Sequence, residues 1–284
     1  MSLMTEPFAL EFFRRALLGG ALVAVLCGVV GTWVVVRGMA FLGEALAHGM
    51  LPGVALATVA GFPVLLGAAA SAAAMSVAVG LLQRSGRLAY DTSIGLLFVA
   101  MLALGVIVVS HSGSFATDAS AILFGDILAI SSTDVVVLAI ATGTGLVLTA
   151  LSHRALVALA LDPRVAGTLG LRPALAQALL VGLVTLTVVV SYQAVGSLLV
   201  VGLLIAPAVA ASAWTRRLPT TMALAALLGV LAVLVGLLVS WFAETAAGSS
   251  IAMAAICLAA LSHVLHGLGG ALRGAGRRPA PRLA

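Results

Sequence analysis

Long apolar runs broken by short polar stretches make up most of the chain. Nine such runs stand out, over residues 16–36, 41–60, 64–82, 92–109, 135–151, 174–190, 195–213, 221–242 and 251–268. Each approaches the ~20 residues that a helix needs to cross the hydrocarbon core of a bilayer. The runs are continuous, as in Leu179-Leu180-Val181-Gly182-Leu183-Val184. They lack the period-two alternation of a membrane β-barrel. The pattern therefore predicts an all-α fold, a polytopic transmembrane helical bundle of about nine spans. It divides the chain into an N-terminal interfacial segment (1–15), a membrane domain (16–268) and an arginine-rich tail (269–284).

Composition agrees. The chain is 63% hydrophobic and 8% charged, where a soluble domain carries about 25% charged residues. The net charge of +5 does not indicate a nucleic-acid partner, because all 14 basic residues are arginines and most fall between apolar runs. They act as topology signals. With the C-terminus and Arg273, Arg277, Arg278 and Arg282 inside, nine spans also place Arg37, Arg84, Arg87, Arg154, Arg164, Arg172, Arg216 and Arg217 inside. Only Arg14 and Arg15 fall outside, together with Glu6, Glu11, Asp118, Asp134 and Glu244. The expected topology is N-out, C-in. Residues 1–11 are polar and mixed, so no cleavable signal is expected. Cys27 and Cys257 lie within apolar runs without metal-ligand spacing and read as small buried hydrophobes. The chain has no lysine, and a phosphate-cradling Walker A loop requires one. If transport here consumes ATP, a separate chain hydrolyses it.

Two stretches are not simple spans. Residues 120–130 are too short to cross and carry Asp126 after Gly125, which fits an outer re-entrant or interfacial helix. The 153–173 stretch is the longest inner connection. Asp162 is placed to cap a short helix with Pro163 in its first turn and Gly170 at its end. Such a helix on the inner surface is either a docking piece for a partner or a plain connector.

The candidate chemistry lies in the second run, where Glu44 and His48 are four residues apart and share one helical face. Ionisable groups at membrane depth are costly and usually face a pore, a substrate or each other. Carboxylate plus imidazole suits divalent transition metals. Pro52 removes the helical partner of the His48 carbonyl, and Gly49 and Gly53 loosen the helix around it. Broken helices with freed backbone oxygens are how membrane proteins build ion sites. The competing reading makes Glu44 a helix-dipole partner and His48 a packed histidine. His111, Asp118 and Asp126 lie on the outer side, where they would guide a cation inward or sit as solvated loop residues. His153, His263 and His266 read as boundary residues, and Asp91, Asp134 and Glu244 lie at span ends. Gly196-Ser197 lacks both a GxSG context and a histidine partner, which argues against a serine protease.

Three segments resemble the membrane permeases of metal-uptake ABC transporters, which import zinc, manganese or iron: GMAFLGEALAHGMLPGVALA from Gly38, DPRVAGTLGLRP from Asp162 and VGSLLVVGLLIAPAVAA from Val195. The resemblance spans nearly the whole chain. It implies a homodimeric, multi-pass permease of the bacterial inner membrane, with a pore near the two-fold axis. Two separate ATP-binding cassette ATPase subunits would dock inside, and an extracytoplasmic metal-binding protein would deliver cargo. Glu44 and His48 map to the family's pore ligands, although the family more often has aspartate at the acid position. Asp162, Pro163, Ala166, Leu169 and Gly170 map to its ATPase-coupling helix. The resulting expectation is the transport subunit, not the enzyme, of an ATP-driven importer. It would hold no permanent cofactor, work by alternating access and carry a divalent metal, zinc ahead of manganese or iron. The alternative is a proton-coupled secondary transporter with Glu44 as proton carrier. A membrane scaffold would give no reason for the acid–histidine pair.

Overall fold

The structure is a computed structural model and describes residues 6–84, 89–111, 125–161 and 171–275. Among these, every regular element is helical. In order they are α1 (Glu6–Ala9), α2 (Glu11–Val36), α3 (Ala40–Gly49), α4 (Leu51–Ala60), α5 (Val64–Arg84) and α6 (Tyr90–His111). A short 3-10 turn (Ile127–Ala129) follows, then α7 (Ser132–Leu161), α8 (Pro173–Val195), α9 (Ser197–Ser212), α10 (Leu218–Ala243) and α11 (Ala247–Ala275).

With α3 and α4 taken as one stretch, eight helices among the described residues are long and apolar enough to cross a membrane. The remaining predicted run forms α9, which has only 16 residues. At ~1.5 Å per residue it covers about 24 Å, against a hydrocarbon core of about 30 Å.

Three boundaries differ from expectation for identifiable reasons. The first long helix starts at Glu11, ahead of residue 16, because extended Leu10 ends α1 and Glu11 pairs with Arg15 one turn on. The connection expected from residue 153 is helical through Leu161. Residues 155–161 are all Ala, Leu or Val, and the first breaker is Pro163. The segment expected to be helical over 120–130 is described only from Gly125, where it forms the 3-10 turn.

Helix α2 is the central post. Ala16, Val23, Leu26, Val30 and Trp33 along it are fully buried, and it packs against α7, α8, α9 and α10. The contact with α9 is backbone to backbone. A Cβ on Gly31 would fall 1.8 Å from the carbonyl oxygen of Leu204, so only glycine permits this crossing. Helices α6 and α11 are the least covered. They expose Leu96, Val99, Ile107, Met253 and Ile256, as lipid-facing positions should. Cys257 is exposed on α11. The expectation of burial fails there because that helix has one covered face only, whereas Cys27 on central α2 is buried.

The bundle has two distinct ends. One gathers Arg37 after α2, Leu159 near the close of α7 and Gln177 at the start of α8. The other gathers Gly125 against Val195 and Gly196, and Phe13 edge-on to Trp241 at 6.2 Å.

Candidate metal-conducting site

The second apolar run breaks where its proline requires. Pro52 occupies the first turn of α4, where its missing N–H costs least, and the break falls at Met50, between α3 and α4. Met50 donates its N–H to the Leu46 carbonyl at 3.2 Å and also turns it toward the His48 carbonyl. A side chain takes the next one: Ser71 Oγ on α5 donates to the Gly49 carbonyl at 2.7 Å. The seam between α4 and α5 is tight enough for this because Gly53 and Gly67 face each other without side chains.

Glu44 and His48 meet as the helical spacing predicts. His48 Nε2 lies 2.9 Å from Glu44 Oε1. The imidazole stands edge-on to Phe98 of α6, with ring centroids 5.6 Å apart, and Phe98 in turn contacts Phe41 at 5.7 Å. Leu42, Ala45 and Leu46, on the rest of α3, are fully buried. His48 sits about 12 Å along the span that starts at Ala40, near its middle. Its side chain is 21% exposed and that of Glu44 39%, so the pair lies at the surface of the protomer.

The geometry suits a cation. Two donors about 2.1 Å from an ion, at a right angle, stand about 3 Å apart, close to the separation seen here. A divalent metal would take the place of the hydrogen bond between nitrogen and oxygen. Two donors make only a third of the octahedral shell that a right angle implies, however. Among the described residues, no group of three or more His, Cys, Asp or Glu side chains comes together.

The other sequence-predicted residues do not join the pair. Asp126 is exposed at the opposite end from Arg37 and accepts the Leu128 N–H at 3.2 Å. Asp118, and Asp162, Pro163, Ala166, Leu169 and Gly170 of the expected coupling helix, lie outside the described residues. Asp134 caps α7 reciprocally with Ser131. His153 packs edge-on to Trp33, and His266 edge-on to Trp214. Ser71 and Phe98 were missed, because a serine in an alanine-rich run and a phenylalanine in a leucine-rich one carry no local signal.

Residues 9–266 match the ABC 3 transport family. The chain is 35% identical over 252 residues to the manganese transport system membrane protein MntC of Halalkalibacterium halodurans, covering 89% of this chain and 86% of that protein. It is 34% identical over 253 residues to the chelated iron transport system membrane protein YfeD of Yersinia pestis, covering 88% and 84%. Among solved structures, PsaBC from Streptococcus pneumoniae in complex with Fab superposes with a TM-score of 0.81 at 30% identity, covering 91% of this chain and 95% of that one.

Proposed function

The chain belongs to the ABC 3 transport family, and on that basis we propose that it is the membrane permease of an ATP-driven importer of manganese or iron. The cargo would pass Glu44 and His48. The observation that carries this reading is the 2.9 Å carboxylate–imidazole pair beside a helix break near mid-span. Relatives named for manganese and chelated iron support those metals, and mixed oxygen and nitrogen donors accept either. The zinc preference expected from the imidazole draws no support from those names. The resemblance to ATP-binding cassette permeases likewise removes the ground for a proton-driven carrier.

A second copy of the chain completes the arrangement. A carboxylate 39% exposed on the flank of a membrane helix is costly against lipid. A two-fold partner would cover it and double the donors from two to four. Separate ATPase subunits would act through residues 162–170 at the Arg37 end, which would be the cytoplasmic one by the arginine distribution. An extracytoplasmic metal-binding protein would deliver the ion at the other end, past Asp126 and Asp118.

The test is uptake of radiolabelled manganese into proteoliposomes holding the permease, its ATPase and its binding protein. The expected result is ATP-dependent uptake by the wild type and its loss in Glu44→Ala and in His48→Ala. Wild-type uptake in both variants would remove the pair from the transport path.

A further inference from the structure

Arg37 was read from the sequence as a topology signal alone, yet it makes side-chain hydrogen bonds to residues 122 and 140 positions away. It stands in the three-residue turn between α2 and α3. One guanidinium nitrogen donates to the carbonyl of Leu159 at 2.7 Å and the other to Gln177 Oε1 at 3.2 Å. Leu159 lies near the end of α7 and four residues before Pro163, which has no N–H to offer its carbonyl. Gln177 lies at the second turn of α8, and its amide nitrogen reaches back to Met39 Sδ at 3.9 Å, in the same turn as Arg37. The turn that leads into the Glu44–His48 helix is thus tied to both helices that flank residues 162–170.

We infer that Arg37 is a positioning residue that couples α7 and α8 to the metal-bearing helix α3. The inference rests on the transport reading above and adds a mechanical link to it. Capping the negative end of α7 explains one of the two bonds. It does not explain the second, to α8, or the return contact to Met39. A planar guanidinium holds two acceptors on different helices in a fixed geometry that a flexible ammonium does not impose. No carboxylate among the described residues pairs with it, so its bonds to the two helices do most to set its position. Its Nε is buried without a partner, a spare donor available to a second arrangement of the turn. Any displacement of α7 against α8 must pull the Arg37–Met39 turn, and α3 begins at the next residue.

The experiment uses the full transporter in proteoliposomes and reads manganese taken up per ATP hydrolysed. Arg37→Lys keeps the inside charge, and so the topology, but replaces the rigid two-pronged fork with a single flexible ammonium that does not fix the two helices in one geometry. Gln177→Leu removes the other end of the second bond. The expected result is basal ATP hydrolysis and thermal midpoint near wild type. Uptake per ATP should fall on the order of tenfold in Arg37→Lys, within the usual range of coupling energies, and by less in Gln177→Leu. Unchanged uptake per ATP in Arg37→Lys, with uptake intact in the wild type, overturns the coupling role alone. A variant that loses ATP hydrolysis and thermal stability together with uptake shows a merely structural cap and also overturns it. Absence of ATP-driven uptake in the wild type overturns the transport reading, and this inference with it.

Discussion

Replacing Gly53 by alanine should open the α4–α5 seam and disturb the helix that carries the metal pair. A Cβ at residue 53 would lie 2.0 Å from the Gly67 carbonyl oxygen and 2.6 Å from Ser71 Cβ. Favourable separations between such atoms are about 3.5 Å, so the helices must part by roughly 1 to 1.5 Å. Backbone cannot swing aside as a flexible side chain does, and a gap of 0.5–1 Å already forfeits about a quarter to half of each lost contact. Overpacking of this kind costs about 2–3 kcal/mol. For a chain of this size that corresponds to a thermal midpoint lower by about 5–10 °C. Gly80→Ala on the same α5, where an added Cβ meets nothing within 4 Å, is the control and should leave the midpoint unchanged or slightly raised. The assay is thermal unfolding of the purified permease in detergent, run at one scan rate because membrane proteins often unfold irreversibly. A Gly53→Ala midpoint within about 1 °C of the Gly80→Ala value would refute the backbone-contact reasoning.

Two further outcomes follow from the site's surroundings. Ser71→Ala removes the donor to the Gly49 carbonyl and should cost about 0.6 kcal/mol, the usual worth of a side-chain hydrogen bond in a membrane bundle. The same melting assay checks it, and a midpoint at or above wild type would contradict it. Phe98→Ala frees the imidazole from its edge-on contact, worth about 0.5–1.5 kcal/mol. The apparent KM for manganese uptake should therefore rise a few-fold with maximal ATP hydrolysis unchanged, and an unchanged KM would show that Phe98 does not hold His48.

The long apolar runs made the helical bundle legible, because lipid requires each span to satisfy its own backbone hydrogen bonds. The Glu44–His48 pair was legible for the same local reason, since i and i+4 on a helix meet wherever that helix lies. Pro52 announced the break at Met50. The partners across helices were not legible. Ser71 meeting Gly49, Phe98 meeting His48 and Arg37 meeting Leu159 span 22, 50 and 122 positions, and nothing near either member of a pair encodes the other. The break between α8 and α9 was legible to within a few residues, but not that Gly196, at φ +77°, is the one residue between them.

The most direct test of the central claim is pulsed electron paramagnetic resonance of manganese bound to the purified permease. The account predicts nitrogen modulation from a coordinated imidazole in the wild type, abolished in His48→Ala, and weakened metal binding in Glu44→Gln. Bound manganese whose spectrum shows no nitrogen, or keeps its nitrogen signal in His48→Ala, would contradict it.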